Sequence, residues 1–261
     1  MLKTLQVLFG AAAVFFLIVP LIAILPLAFT SGAFLTYPMP GISMRWFNEL
    51  VTADAWRRSI VNSLVIGCGT TMLATVLGTT AALGLRGRVV LGGLFRTMFL
   101  LPMVVPAVVL GVGMQILFVR LGVANSYLGV IAAHTVVAIP FVVVSVSGSL
   151  EGIDRRVERA ALSLGASPFT VLQRVTLPLA MPGIASGAVL AFATSLDEVV
   201  LTLFVAGPNQ RTLARQMFST IRENISPAIA AAAFLFIVGT LLAAAAAIVL
   251  KKQRQRRTGL A

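Results

Sequence analysis

Residues 128–150 read LGVIAAHTVVAIPFVVVSVSGSL, 23 consecutive positions without an Asp, Glu, Lys or Arg. At a helical rise of about 1.5 Å per residue such a stretch is roughly 35 Å long, enough to cross a hydrocarbon core of about 30 Å. Lipid offers the backbone no hydrogen-bonding partner, so a crossing segment has to close its own bonds, as a helix does. Five further apolar windows flank it, at residues 9–30, 60–85, 97–119, 183–205 and 228–250. No segment of about ten residues alternates with period two, as a barrel strand would. The expected fold is therefore all-α: a polytopic membrane protein with six transmembrane helices.

Composition leads to the same place. Of 261 residues, 59% are hydrophobic and 11% are charged, and the mean hydropathy is +1.01. A water-facing domain carries about a quarter charged residues, so most of this surface has to meet something other than water. Pro20, Pro26, Pro102, Pro106 and Pro140 fall inside the windows, where each removes a backbone donor and is expected to kink its helix. Only Lys3 precedes the first window, whose apolar core is longer than a secretory h-region, so it is expected to be an uncleaved first span. One transmembrane domain is expected over residues 1–261.

Lys and Arg orient the chain. With the N-terminus inside, the inner set is Lys3, Arg86, Arg88, Arg96, Arg155, Arg156, Arg159, Arg174, Lys251, Lys252, Arg254, Arg256 and Arg257. The outer set is Arg45, Arg57, Arg58, Arg120, Arg211, Arg215 and Arg222, so the 20 basic residues divide thirteen to seven. Both termini are thus expected in the cytoplasm. The basic tail follows directly on a span, which suits anionic headgroups better than nucleic acid. Cys68, the one cysteine, allows no intrachain disulfide and is expected to pack as a small apolar side chain. His134, the one histidine, lies inside a span without the companions of a metal site, and a packed or interhelical hydrogen-bonding role is expected.

The connection 151–182, EGIDRRVERAALSLGASPFTVLQRVTLPLAMP, has a plan of its own. Val157, Ala160, Ala161 and Leu164 recur at helical spacing and give a short helix one apolar face. Gly165 is placed to end that helix in a left-handed conformation. Ser167 and Pro168 supply an N-cap and a first-turn proline for a second helix bearing Phe169, Leu172 and Val175. Pro178 and Pro182 are expected to prevent its simple continuation. The apolar strip on a charged helix pair points to a protein partner at the cytoplasmic surface.

At these residues the chain resembles the permeases of binding-protein-dependent ABC importers. Glu158-Arg159-Ala160-Ala161, Gly165 and Val175-Thr176-Leu177-Pro178 are similar to that family's "EAA" loop. The glycine-to-Leu-Pro spacing is kept, while Arg159 stands where the family has its glutamate and Glu158 sits one place earlier. The resemblance implies that the loop forms a coupling helix pair docking on an ATPase, through Glu158, Arg159, Ala160, Ala161, Gly165, Ser167, Pro168, Leu177 and Pro178. A second stretch, Ser195-Leu196-Asp197-Glu198-Val199-Val200 followed by Phe204-Val205-Ala206-Gly207-Pro208, is similar to the second permease of the spermidine/putrescine group. That group also has relatives for iron, phosphonates, opines and 4-aminobutyrate. The resemblance implies a multi-pass protein of the bacterial inner membrane, an ATPase dimer, a second and different permease subunit, and an external solute-binding protein.

The chain has to borrow its energy. A P-loop needs Gly-Lys-Ser/Thr, and none of Lys3, Lys251 and Lys252 follows a glycine. No cofactor is expected in this chain; ATP and Mg are expected on the partner ATPase, and the chain itself is expected to be a non-catalytic transport subunit. No paired broken spans of an ion-driven transporter and no hydrolase motif compete with this reading. Asp197 and Glu198 are the conspicuous polar pair, about 21 Å along the fifth window at helical rise. On a continuous helix Thr194, Ser195 and Thr202 flank Glu198 as a hydroxyl stripe. Thr194, Ser195, Asp197, Glu198 and Thr202 are the expected lining of the substrate path, the acids drawing in a cation such as a polyamine. The competing role for the acids is a structural ion pair with Arg211 or Arg215.

Overall fold

The computed structural model describes residues 2–87, 90–223 and 225–240. Among them the regular structure is helical, with one isolated antiparallel bridge between Thr30 and Ile42. The helices are α1 Leu2–Ile24, α2 Arg45–Thr52, α3 Asp54–Leu85, α4 Gly92–Leu100, α5 Ala107–Arg120, α6 Tyr127–Glu151, α7 Arg155–Ser163, α8 Pro168–Val171, α9 Leu177–Asp197, α10 Val200–Val205, α11 Leu213–Glu223 and α12 Ala228–Thr240. The basic residues Arg88 and 251–257, and positions 241–250 of the last expected span, lie outside the described residues. The chain divides into two compact units, Met1–Arg57 with Met217–Ala261, and Arg58–Gln216.

In the first unit every described side chain from residue 3 to residue 23 is exposed, although α1 contains Phe9, Phe15, Phe16 and Leu17. An apolar helix whose side chains are left uncovered by the described residues of its own unit has lipid or another membrane helix as its solvent. Beyond α1, Phe29, Phe47 and Phe234 form an aromatic triangle with centroids 5.1–5.6 Å apart and two edge-on contacts, the arrangement that ring quadrupoles favour.

The second unit is built on α6 and α9. Ala138, Val142, Val146 and Leu150 of α6 are buried with Ala180 and Ala191 of α9 and Ala74 and Ala82 of α3. The helices meet where glycine leaves room. A Cβ on Gly183 would lie 2.5 Å from Ser149 Cβ, one on Gly187 would lie 3.0 Å from Val142 Cα, and one on Gly78 would lie 2.7 Å from Val142 Cβ. Close backbone approach is how membrane helices gain dispersion contacts when lipid provides no hydrophobic drive. A second core joins Ile66, Phe118, Val130, Val137, Leu201 and Val205.

Two expected windows and one expected interruption need redrawing. The window 97–119 is a bent pair, Gly92–Met103 and Ala107–Arg120, meeting at 99°. Pro102 and Pro106 lie at the joint, and two missing donors four residues apart break a helix that one proline would only kink. The window 183–205 begins earlier and stops sooner: α9 starts at Leu177 and ends at Asp197, with Glu198 extended (ψ 106°) before α10. Pro178 does not interrupt the chain's helical course either. A π turn over Leu172–Thr176 links α8 to α9, with Leu177 N donating to Leu172 O. One extra residue in the turn absorbs the donor and the space that a proline takes from an α-helix. Among the described residues four helices, Lys3–Phe29, Asp54–Leu85, Tyr127–Glu151 and Pro168–Asp197, are long and apolar enough to cross a membrane, and the bent pair adds a fifth where it forms a single span. Cys68 is exposed on α3 rather than packed.

Candidate functional site

Local chemistry shapes the connection between α6 and α9. Asp154 caps α7, accepting from Arg156 N at 2.8 Å. At its end Gly165 takes φ +85°, Gly165 N donates to Leu162 O and Ala166 N to Ala161 O. That bond pair is the Schellman arrangement, which needs a residue with no Cβ penalty at the left-handed position. Ser167 Oγ accepts from Thr170 N at 3.2 Å and Pro168 opens α8. The result is a tight two-helix step that buries Val171 but leaves three large apolar side chains uncovered among the described residues: Leu164 is 89% exposed, Phe169 65% and Val157 49%.

The side chains of this step do not all point outward. Arg159, Ala160, Ser167 and Pro168 are exposed, Ala161 is half-buried, and Leu177 and Pro178 lie at the root of α9. Glu158 turns inward. Its Oε1 accepts from Arg86, one residue beyond α3, and from Thr176 Oγ1 in the π turn at 2.7 Å. Arg86 Nη2 also donates to Ile153 O at 3.2 Å, and Arg155 donates to the Arg86 carbonyl. Partial burial opposes ionisation of Glu158, but the Thr176 and Arg86 hydrogen bonds and the charges of Arg86 and Arg155 outweigh it and hold its carboxyl below the usual range.

The second polar centre lies at the break between α9 and α10. His134 is fully buried on α6. Its Nδ1 is 2.9 Å from Ser195 Oγ on α9, and its Nε2 is 2.9 Å from Thr202 Oγ1 on α10. The Thr202 hydroxyl also donates to Glu198 O at 2.9 Å, which leaves its oxygen able to accept from an imidazole N–H. One imidazole thus bridges both halves of the broken helix, the interhelical role expected of it.

The acids differ from the expected stripe. Because α9 ends at Asp197, Glu198 does not share a continuous helical face with Thr194, Ser195 and Thr202. Its Oε1 instead accepts from Leu201 N at 2.8 Å, capping the first turn of α10. Asp197 is exposed, and Thr194 and Glu198 are half-buried. Neither acid pairs with Arg211 or Arg215. Arg211 donates to Gln216 Oε1 at 3.2 Å, and Arg215 Nη1 donates to Thr202 O at 3.1 Å and Ala206 O at 2.8 Å, closing the far end of α10. The stretch after the acids is seated by packing: a Cβ on Gly111 of α5 would meet the Phe204 ring at 2.5 Å. Asn62 Nδ2 holds the following turn through Asn209 O and Arg211 O at 2.8 and 3.0 Å, and Tyr127 holds Asn62. Arg86, Thr176 and Asn62 are not assigned a role at either centre by the sequence alone, because their partners lie 18 to 149 residues away.

This arrangement of an exposed step between long apolar helices has relatives. Residues 74–255 match the family described as binding-protein-dependent transport system inner membrane component. The chain belongs to that family. It is 32% identical to the spermidine/putrescine transport system permease protein PotC of Escherichia coli (strain K12), over 89% of this chain and 88% of PotC. It is 36% identical to the putrescine transport system permease protein PotI of the same strain, over 85% of this chain and 82% of PotI. A crystal structure of a bacterial ABC transporter for import of the acidic polysaccharide alginate superposes with a TM-score of 0.70 at 14% identity, covering 96% of this chain and 95% of that one. The alginate transporter in complex with its alginate-bound periplasmic protein gives 0.66 at 16% identity, over 98% and 94%. The chain is a multi-pass inner-membrane permease component of an ABC importer, a transport subunit rather than a catalyst.

Proposed function

We propose that this permease is one of two different transmembrane subunits in an importer for polyamines or a related small amine. It crosses the membrane six times with both termini in the cytoplasm. It works with an ATPase dimer that binds ATP and Mg, and with an external solute-binding protein. The α7–α8 step is the docking surface for the ATPase. The observation that carries this reading is the pairing of uncovered apolar side chains (Leu164, Phe169, Val157) with a capped, rigid backbone on both sides of Gly165. A preorganised apolar projection is what a groove on a partner rewards.

The polyamine assignment is supported by likeness to PotC and PotI and by the acids at the α9–α10 break. Asp197 is exposed beside the break between α9 and α10, where a carboxylate is open to water or to a passing cation. His134, Ser195 and Thr202 brace the break through side-chain hydrogen bonds.

The test is reconstitution in proteoliposomes of the whole complex, with labelled spermidine and putrescine supplied on the binding-protein side. ATP-dependent uptake that requires the binding protein is expected. Transport by the solitary chain without ATP refutes the coupling reading. Robust uptake of another solute with none of either amine refutes the substrate.

A further inference from the structure

The coupling helix has almost nothing holding it by packing. No residue of α7 is buried, so the hydrophobic burial that anchors most helices is missing here. Its attachment is polar and concentrated. Arg86, at the end of α3, reaches Glu158 Oε1 and Ile153 O, while its own carbonyl receives Arg155. Glu158 Oε1 also receives Thr176 Oγ1, which is 5% exposed in the π turn that roots α9. The ion-pair side chains are 14% and 19% exposed, largely sheltered from water, and a sheltered, hydrogen-bonded ion pair with one member removed costs far more than an exposed one.

We infer that Arg86, Glu158 and Thr176 form a latch that transmits the movement of α7 to the ends of α3 and α9, making all three positioning residues for ATP-driven transport. This rests on the coupling role proposed above. Glu158, which the sequence pattern places at the partner surface, acts on this account within the chain. A partner pressing on Val157 and Leu164 meets a helix with no buried residue of its own to absorb the push. The displacement passes through the one carboxylate shared by α3 and the π turn. A π turn holds one residue more than an α turn, and such turns are frequent at functional sites.

The experiment uses the complete complex in proteoliposomes and reads two rates, solute uptake and ATP hydrolysis, together with retention of the ATPase on purification. In Arg86→Met and Glu158→Gln the ATPase is expected to stay bound while solute moved per ATP falls on the order of tenfold, the range of ordinary coupling energies. Arg86→Lys, which keeps the charge, is expected to recover most of the ratio. Thr176→Val, equal in shape, removes one bond and is expected to lower the ratio several-fold; it carries the test if the charge variants do not fold. A purely structural role lowers both rates together and leaves the ratio unchanged, which overturns the latch. Loss of the ATPase from Glu158→Gln also overturns it, making Glu158 a docking residue and leaving the coupling reading intact. Failure of the unsubstituted chain to retain any ATPase removes that reading itself.

Discussion

Replacing Gly183 by Ala sets two effects of opposite sign against each other. In a helix interior, Gly→Ala is favourable by about 1 kcal/mol, because alanine loses less backbone freedom. At Gly183 the added Cβ would stand 2.5 Å from Ser149 Cβ and 2.7 Å from Ser145 O, the second of these main-chain. Carbon atoms pack at about 3.5–4.0 Å, so α6 and α9 would have to part by roughly 1 Å. Overpacking of a close interface costs about 1–3 kcal/mol. A gap of that size along the rest of the contact also forfeits up to half of each dispersion well. The net expectation is a loss of about 1–2 kcal/mol.

The same substitution at Gly148 is the internal control, since it lies on α6 with nothing within 4 Å of a new Cβ. There only the propensity gain operates, and Gly148→Ala is expected to gain up to about 1 kcal/mol. Gly187→Ala, facing Val142 Cα at 3.0 Å, falls between the two. Thermal unfolding of the purified protein in one detergent, followed by intrinsic fluorescence, ranks the three variants. The expected order of midpoints is Gly148→Ala, wild type, Gly187→Ala, Gly183→Ala, from highest to lowest. A Gly183→Ala protein that melts at or above wild type refutes the close approach of α6 and α9.

Asp197→Asn with Glu198→Gln keeps a carbonyl acceptor for Leu201 N while removing both charges; amine uptake is expected to fall at least about tenfold, and unchanged uptake with an unchanged solute range refutes the pathway role. His134→Ala opens a buried space and leaves Ser195 and Thr202 without their shared partner, a loss of about 3 kcal/mol that denaturant unfolding measures; a loss under about 1 kcal/mol means that the bridge does not hold the break. Glu158 has a lowered folded pKa, so its contribution to stability is complete above the ordinary carboxylate value and disappears as pH falls through the lowered one. Wild type and Glu158→Gln should therefore differ in melting temperature at neutral pH and converge in acid, and a difference that grows on acidification contradicts the depressed pKa.

What the sequence makes legible here is what short-range chemistry decides. Apolar runs longer than a bilayer is thick give helices wherever they occur, and Asp154, Gly165 and Ser167 find their capping partners within five residues. The ends of helices in the bundle are another matter. Proline removes a donor at Pro102, Pro106 and Pro178 alike, yet the first two break a span and the third is carried through a π turn. The difference lies in neighbours that local pattern does not contain. Thr176, buried in that turn, has Glu158 to bond, while Val104, midway between Pro102 and Pro106, is 80% exposed.

The polar centre at the α9–α10 break depends on register between helices. Gly183 meets Ser149 and Ser145, Gly187 meets Val142, and Ser195 meets His134, so residues four or eight apart ascending α9 meet residues descending α6. Antiparallel packing set by the two glycines delivers the Ser195 hydroxyl to the level of the imidazole. The spacing of Gly183 and Gly187, a small residue every fourth position, was a readable sign of that packing. Read with it, a lone histidine on α6 and a serine twelve residues past the first glycine become candidates for the same layer. It follows that an added methyl at Gly183 disturbs more than packing: it shifts α9 against α6 and pulls the Ser195 hydroxyl from His134, so its cost should fall in Ser195→Ala, where there is no such bond to lose. A double-mutant cycle between the two positions reads that coupling directly, and strict additivity would separate the glycine contact from the polar bridge.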